Sequence, residues 1–255
     1  PYVLSTGNTA ADPMGDNDGL VDQGESIDLE IDLSNVGIET AADVMVTITT
    51  ADAWVTITTG SVSAGDIDAD GTLTLSGFTF DVTSGVEDQH VALFDVLIAD
   101  ADGNEWTTSF PVTLNAPHFT IVGLAVEDGG NGILESGETA NLVVTVINDG
   151  HDAAAANPWG TMAISHPDLI FSQNGDYLDV VLQPGETATF SFPVEVVEGA
   201  APGGLAQILF DVQDGVYTTS GEFYEPINLI METWESGDDQ TFPWAYAGSE
   251  DWFVS

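Results

Sequence analysis

Ser26-Ile27-Asp28-Leu29-Glu30-Ile31-Asp32-Leu33 sets an aliphatic residue at every second position, with acidic or hydroxylated residues between. A period of two sends alternate side chains to opposite faces of an extended chain, which is the pattern of a strand with one buried side. The stretch is introduced by Gly24-Glu25 and closed by Asn35-Val36-Gly37. It returns as Gly137-Glu138-Thr139-Ala140-Asn141-Leu142, running on to Asn148-Asp149-Gly150, with Glu138 standing 113 positions after Glu25. Further along, Phe94-Asp95-Val96 is answered by Phe210-Asp211-Val212, and Trp106-Thr107-Thr108 by Tyr217-Thr218-Thr219. Matches at a nearly constant offset mark a duplicated unit.

Each copy reads as strands throughout. Leu73, Leu75, Phe78 and Phe80 alternate across Gly77, where one extra residue predicts a β-bulge. Phe190, Phe192, Val194 and Val196 alternate around Pro193, which predicts an edge strand or a bulge because proline has no N–H to give to a ladder. Further strands are expected over 43–49, 90–99, 105–114, 118–126, 205–213 and 216–224, and the Ala153–Ala156 run is too short for a helix. Six or seven short strands per copy imply an all-β fold of two tandem Ig-like β-sandwich domains plus a short C-terminal β tail. The expected boundaries are 1–116, 117–226 and 227–255, set by Asn115-Ala116-Pro117 and by Pro226. Trp54 and Trp106 are expected in the packing.

The charge balance is extreme: 43 acidic residues, no Lys or Arg, four His and no Cys in 255 residues. Roughly 25 basic residues would be ordinary for this length. Carboxylates here must be relieved by water, backbone N–H groups, His or bound cations. A nucleic-acid partner is excluded for want of basic side chains, and no apolar run is long enough for a membrane span. Without Cys there is neither a disulfide framework nor a thiolate metal site. Two explanations of the missing Lys and Arg stand side by side: exposure to proteases that cut after basic residues, and acidic surfaces of the salt-adapted kind. The first is favoured, since salt adaptation would not remove every Arg. The start at Pro1, with no initiator Met or signal peptide, is read as that of a mature or excised segment.

Asp16-Asn17-Asp18-Gly19-Leu20-Val21-Asp22-Gln23-Gly24-Glu25 is the strongest local constellation. Hard oxygens clustered on a tight turn are what Ca2+ requires. Laid on an EF-hand-like loop, Asp16, Asp18, Gly19, Asp22 and Glu25 take positions 3, 5, 6, 9 and 12 of that pattern, while Met14 at position 1 cannot ligate, so that Asp12 would have to substitute. The second copy offers Glu127, Asp128, Asn131, Glu135 and Glu138 around Gly132. The plainer reading of both loops is a polar turn ahead of a strand.

The runs GDNDGLVDQGESIDLEIDLSNVG, NEWTTSFPVTLNAP and GNGILESGETANLVVTVINDGHDAAA resemble the Ig-like tandem repeats of Bacteroidota type IX secreted proteins. In that family such repeats follow the catalytic domain of gingipain-like cysteine peptidases. METWESGDDQTFPWAYAGSEDW resembles the opening strand of the jelly-roll module that often comes next, and the chain stops at Ser255 before such a module would close. The chain departs from the family in having no Lys or Arg, and no catalytic Cys or His motif matches, so the peptidase activity does not carry over.

Other chemistry is thinly represented. His90, His118, His151 and His166 show no zinc-ligand spacing, and His90 and His118 fall in strand patterns, where a structural role is expected. No nucleophile-elbow, phosphate-loop or dinucleotide-binding motif occurs. The expectation is therefore a non-catalytic structural or adhesive protein of the cell exterior, in one of three finer forms. One is the subunit of a surface filament that associates head to tail. Another is an accessory segment of a secreted peptidase. The third is a carbohydrate-binding module with a polysaccharide partner, using Trp244 and Trp252 as platforms. Expected interface residues are Val143 and Ile147, apolar where the first copy has Glu30 and Ser34, and Trp234, Phe242, Trp244, Trp252 and Phe253 in the tail.

Overall fold

The computed structural model describes residues 1–154 and 157–229. Repeat 1 contains β1 (Val3–Ala11), β2 (Ser26–Asn35), β3 (Ala41–Thr50), β4 (Val55–Thr59), β5 (Ser61–Ile67), β6 (Thr72–Val82), β7 (His90–Ala99) and β8 (Glu105–Leu114). Repeat 2 contains β9 (Phe119–Glu127), β10 (Thr139–Asn148), β11 (Trp159–Ser165), β12 (Leu169–Phe171), β13 (Gly175–Tyr177), β14 (Thr187–Val196), β15 (Gly204–Asp214) and β16 (Tyr217–Ile227). The repeats share one topology. Sheets ordered β1-β2-β6-β4 and β5-β3-β7-β8 face each other in the first, and β9-β10-β14-β12 and β13-β11-β15-β16 in the second, with every named pairing antiparallel. Both are Ig-like β-sandwiches. No helix occurs among the described residues, so none is long and apolar enough to cross a membrane.

The alternating residues read from the sequence are the core. Ile27, Leu29, Ile31 and Leu33 of β2 are almost wholly buried, as are Leu142, Val144 and Val146 of β10. Between the layers of repeat 1, Phe94 packs against Phe80 and lies parallel to Phe110; in repeat 2, Phe210 meets Phe190 and Phe192. Two such cores form, one from Val3 to Ala116 and one from Phe119 to Ile227. Each has one polar hub. Asn35 accepts from the Tyr2 and Gly37 N–H groups and donates to the Glu39 and Ile67 carbonyls. Asn148 accepts from the His118 and Gly150 N–H groups and donates to the Asp152 and Leu182 carbonyls. A fully buried amide is tolerable because its donors and acceptor are used, and the repeated Asn-x-Gly is thereby explained.

The expected bulge at Gly77 is present: between Leu29↔Phe78 and Ile31↔Leu75, β6 spends one residue more than β2. Pro193 corrects the expectation of an edge strand, because β14 lies inside its sheet between β12 and β10. The β12 ladder, however, ends at Phe171↔Val194, so at Pro193 the strand is locally at an edge, where a residue without an N–H is tolerated. The limit drawn at Pro226 also shifts, because β16 continues through Ile227, which is fully buried and pairs with Gly204 and Leu134. Strand content exceeds the expected six or seven, at eight per repeat. The additions are short or weakly alternating. β4 and β5 are separated only by Gly60, yet one pairs with β6 and the other with β3, so the chain changes sheets at that point.

The repeats are stitched together rather than tethered. Asp88 accepts from the Ala116 and His151 N–H groups and pairs with the His151 ring at 2.8 Å, and the Gly85 N–H donates to the Tyr217 hydroxyl at 2.9 Å. Gln89 donates to Asn115, whose amide in turn donates to Asp22. The linker thereby sits against the first acidic loop.

Candidate functional site

The segment between β1 and β2 folds back on itself around carboxylates. Buried Asp12 accepts from the Asp18 and Gly19 N–H groups at 3.1 and 3.2 Å, and Asp18 accepts from the Leu20 N–H at 2.7 Å. Glu25 receives the Asp16 N–H on one oxygen and the Asp22 N–H on the other. Gly15 makes this fold possible: a Cβ there would lie 1.7 Å from a Glu25 carboxylate oxygen. Carboxylate oxygens of Asp12, Asp16 and Asp18 lie within 4.8 Å of one another, and so do those of Asp16, Asp22 and Glu25. Asp16 belongs to both groups. Asp12 thus lies beside Asp16 and Asp18, and the flanking elements are strands and not the helices of an EF-hand.

The second repeat contributes to the same place. Asp16, Asp22, Gln23 and Glu25 line a cleft of about 310 Å³ whose other wall holds Asp152, Ala154, Val181 and Gln183. Burial pushes the Asp22 carboxyl up to about 7, against the hydrogen bond from Asn115 and aided by the charges of Asp152, Asp18 and Glu25. Burial likewise pushes Asp152 up to about 6, with Ala153 and Gln23 opposing as donors and Glu25 and Asp16 adding to the rise. Glu25 is raised by burial too, with Asp12 and Asp16 contributing. Sequence reasoning did not find Asp152. Its only signal is that it follows Asn148-Asp149-Gly150, the segment fixed beside the linker.

The loop between β9 and β10 keeps the hydrogen-bond skeleton and loses the convergence. Asp128 accepts from the Gly130, Gly132 and Ile133 N–H groups, led by Gly130, and these donors hold it below the ordinary carboxylate range. Asn131 accepts from Ile133 as Asp18 does from Leu20, and Glu138 accepts from Glu135 as Glu25 does from Asp22. Asp12 precedes Gly19 by seven positions, whereas Asp128 precedes Gly132 by four, so the first loop carries three more residues. Counted back from Gly19 and Gly132, Asp16 stands where the second loop has Gly129. Glu127 is exposed at the end of β9, and among the described residues no three acidic groups of this loop converge.

Three of the four His are held by carboxylates: His90 to Asp52 at 2.7 Å, His118 to Asp149 at 2.6 Å and His151 to Asp88. His90 and His118 thus have the structural partners expected of them. Val143 and Ile147 lie half-buried on the outer face of β10, beside Ala125 and Ser191, and Thr120 and Thr187, respectively. Trp234, Phe242, Trp244, Trp252 and Phe253 lie outside the described residues.

No family model and no curated protein matches the chain. Among solved structures, it is similar to the C-terminal domain of the AgI/II polypeptide BspA of Streptococcus agalactiae, at 11% identity and a TM-score of 0.41 over 86% of this chain and 99% of that one. It is also similar to a Porphyromonas gingivalis W83 protein of unknown function, at 11% identity and a TM-score of 0.32 over 89% of this chain and 100% of that one. Red sea bream transglutaminase matches at 11% identity and a TM-score of 0.35 over 89% of this chain, which spans 31% of the transglutaminase. Likenesses this distant bear on neither lineage nor function.

Proposed function

We propose that the chain is a non-catalytic structural or adhesive segment of the cell exterior, whose two sandwiches are fixed relative to each other by Ca2+ in the first acidic loop. The observation that carries the reading is the gathering of Asp12, Asp16, Asp18, Asp22 and Glu25 beside Asp152 of the other repeat, in a chain with no Lys or Arg to neutralise them. Asp12, Asp16 and Asp18 would hold the ion on the loop, while Asp22 and Glu25 would face it toward Asp152. Hard carboxylate oxygens on a turn suit Ca2+. A cation there would also offset the cost of burying the Asp22 and Asp152 carboxylates beside their acidic neighbours. A non-catalytic reading is supported by the His side chains, three of which are committed to carboxylates, one of them across the junction.

The sequence resemblance to type IX secreted repeats supports an extracellular or cell-surface location, and the absence of Lys–X and Arg–X bonds suits an environment rich in proteases specific for them. Head-to-tail association through residues 230–255 is the finer form of the proposal. The test is chelation. Removing Ca2+ should lower the melting temperature, and Asp16→Asn should lower it in Ca2+ and remove the response. A melting temperature indifferent to chelator would reduce the loop to a polar turn. For the filament, a chain ending at Leu229 keeps β16 whole and should stay folded without polymerising; fibres from that truncation would reject the tail's role.

A further inference from the structure

The outer faces of the two β-rich sheets have diverged at one position that the shared topology makes equivalent. Thr49 pairs with Asp95 in repeat 1, and Thr161 with Asp211 in repeat 2, within the repeated Phe-Asp-Val strands. Two residues earlier, Thr47 sits opposite Ser61, their hydroxyls 2.9 Å apart. The corresponding pair in repeat 2 is Trp159 opposite Tyr177, with ring centroids 3.8 Å apart. A small hydroxyl pair therefore satisfies the fold at this position, and the aromatic pair is not needed for it.

The neighbouring chain is arranged to accommodate the indole. A Cβ at Gly175 would lie 2.0 Å from the Trp159 ring, so the ring lies against the β13 backbone where only glycine leaves room. Tyr177 is 61% exposed. Across β15 and β16 the outward row is Asp211, Gln213, Thr218 and Ser220, all exposed: a carboxylate, an amide and two hydroxyls. The platform is thus aromatic at one point with a polar row beside it, while the same face of β15 continues away from it to the exposed Leu209 and Leu205.

We propose that Trp159 and Tyr177 form a stacking platform for a neutral polysaccharide on the outer face of the second sandwich. A pyranose ring has an apolar C–H face and a rim of hydroxyls; the aromatic pair takes the face, and Gln213, Asp211 and Thr218 take the rim. Charge selects the ligand class. A chain with 43 acidic residues and no Lys or Arg repels anionic polymers, whereas a neutral polymer meets no such penalty. The platform shares no residue with the acidic loops, so it stands or falls apart from the Ca2+ reading.

The test is native gel electrophoresis of the 255-residue chain through gels containing mixed-linkage β-glucan, galactomannan or dextran, with alginate as the anionic control. At least one neutral polymer should retard the chain and alginate should not. Trp159→Thr with Tyr177→Ser writes the repeat 1 arrangement into repeat 2, so folding should persist while binding weakens about tenfold or more. Tyr177→Ala, at an exposed position, is the second variant and should weaken binding as well. Free migration in all three neutral polymers would overturn the proposal, as would equal retardation of the variants. Loss of self-association in the double variant, seen by sedimentation, would assign the pair to a contact between copies and would equally overturn it.

Discussion

The loops that lead into β2 and β10 hold the same backbone bonds and do different things with them. In both, an aspartate after the preceding strand receives N–H groups from the turn, and a glutamate receives the N–H three residues before it. In the loop before β10 no three acidic groups converge among the described residues, and Asn131 stands where the first loop has Asp18. The loop before β2 is three residues longer and has Asp16 where the other has Gly129, and Asp16 joins Asp12 and Asp18 on one side and Asp22 and Glu25 on the other. The turn geometry is a property of the fold; the charge concentration belongs to one repeat alone. The outer sheets show the same division, with Thr47 and Ser61 in one repeat and Trp159 and Tyr177 in the other.

The largest effect should fall on what the repeats share. Asn35→Ala and Asn148→Ala each leave buried N–H and C=O groups without partners and should cost about 3 kcal/mol apiece, measured by chemical denaturation of the whole chain. A much smaller loss at one of the two would mean that the hubs are not equivalent. The next effect separates the loops. Ca2+ at about a hundred times its dissociation constant should add about 2.7 kcal/mol. Asp16→Asn should abolish that increment, and Asp128→Asn should leave it in place.

A smaller effect concerns pH. The folded-state carboxyls of Asp22, about 7, and Asp152, about 6, lie above their ordinary 3.8, so the folded chain takes up these protons more readily than the unfolded one. Their ionisation therefore costs stability fully above about pH 7, and the cost is relieved as pH falls through that range toward 4. In chelator, the melting temperature should rise between about pH 8 and about pH 5.5. Asp22→Asn should raise it at pH 8 and flatten the rise, which separates this cluster from the general self-repulsion of an acidic chain. In Ca2+ the rise should flatten, because the ion already neutralises these carboxylates, and the Ca2+ increment should shrink as pH falls, because protons compete with the ion. The smallest effect is at the junction: Tyr217→Phe removes the acceptor for the Gly85 N–H and should cost about 1 kcal/mol.

Strands whose inner face is aliphatic or aromatic were legible in the sequence because burial imposes a period of two: β2, β6, β7, β10, β14 and β15 follow it nearly residue by residue. β1, β4, β5, β12 and β13 were not, because they are short or built from Ser, Thr, Gly and Ala, and so carry little apolar contrast. The first loop was legible as a candidate from its carboxylates alone. Its difference from the second was not, because that depends on how three extra residues close in space. Asp152 was likewise out of reach, since it is brought to the loop by the stitched linker, and Trp159 and Tyr177 are far enough apart in sequence to hide their pairing.

The first loop should bind a cation that the second does not. Calorimetric titration of the chelator-treated chain with Ca2+, in salt sufficient to screen diffuse attraction to the acidic surface, tests this directly. The prediction is saturable binding that releases protons near pH 6.5, as expected when partly protonated Asp22 and Asp152 ionise, and that Asp16→Asn eliminates while Asp128→Asn does not. Heat that never saturates, or binding that survives Asp16→Asn unchanged, would contradict it.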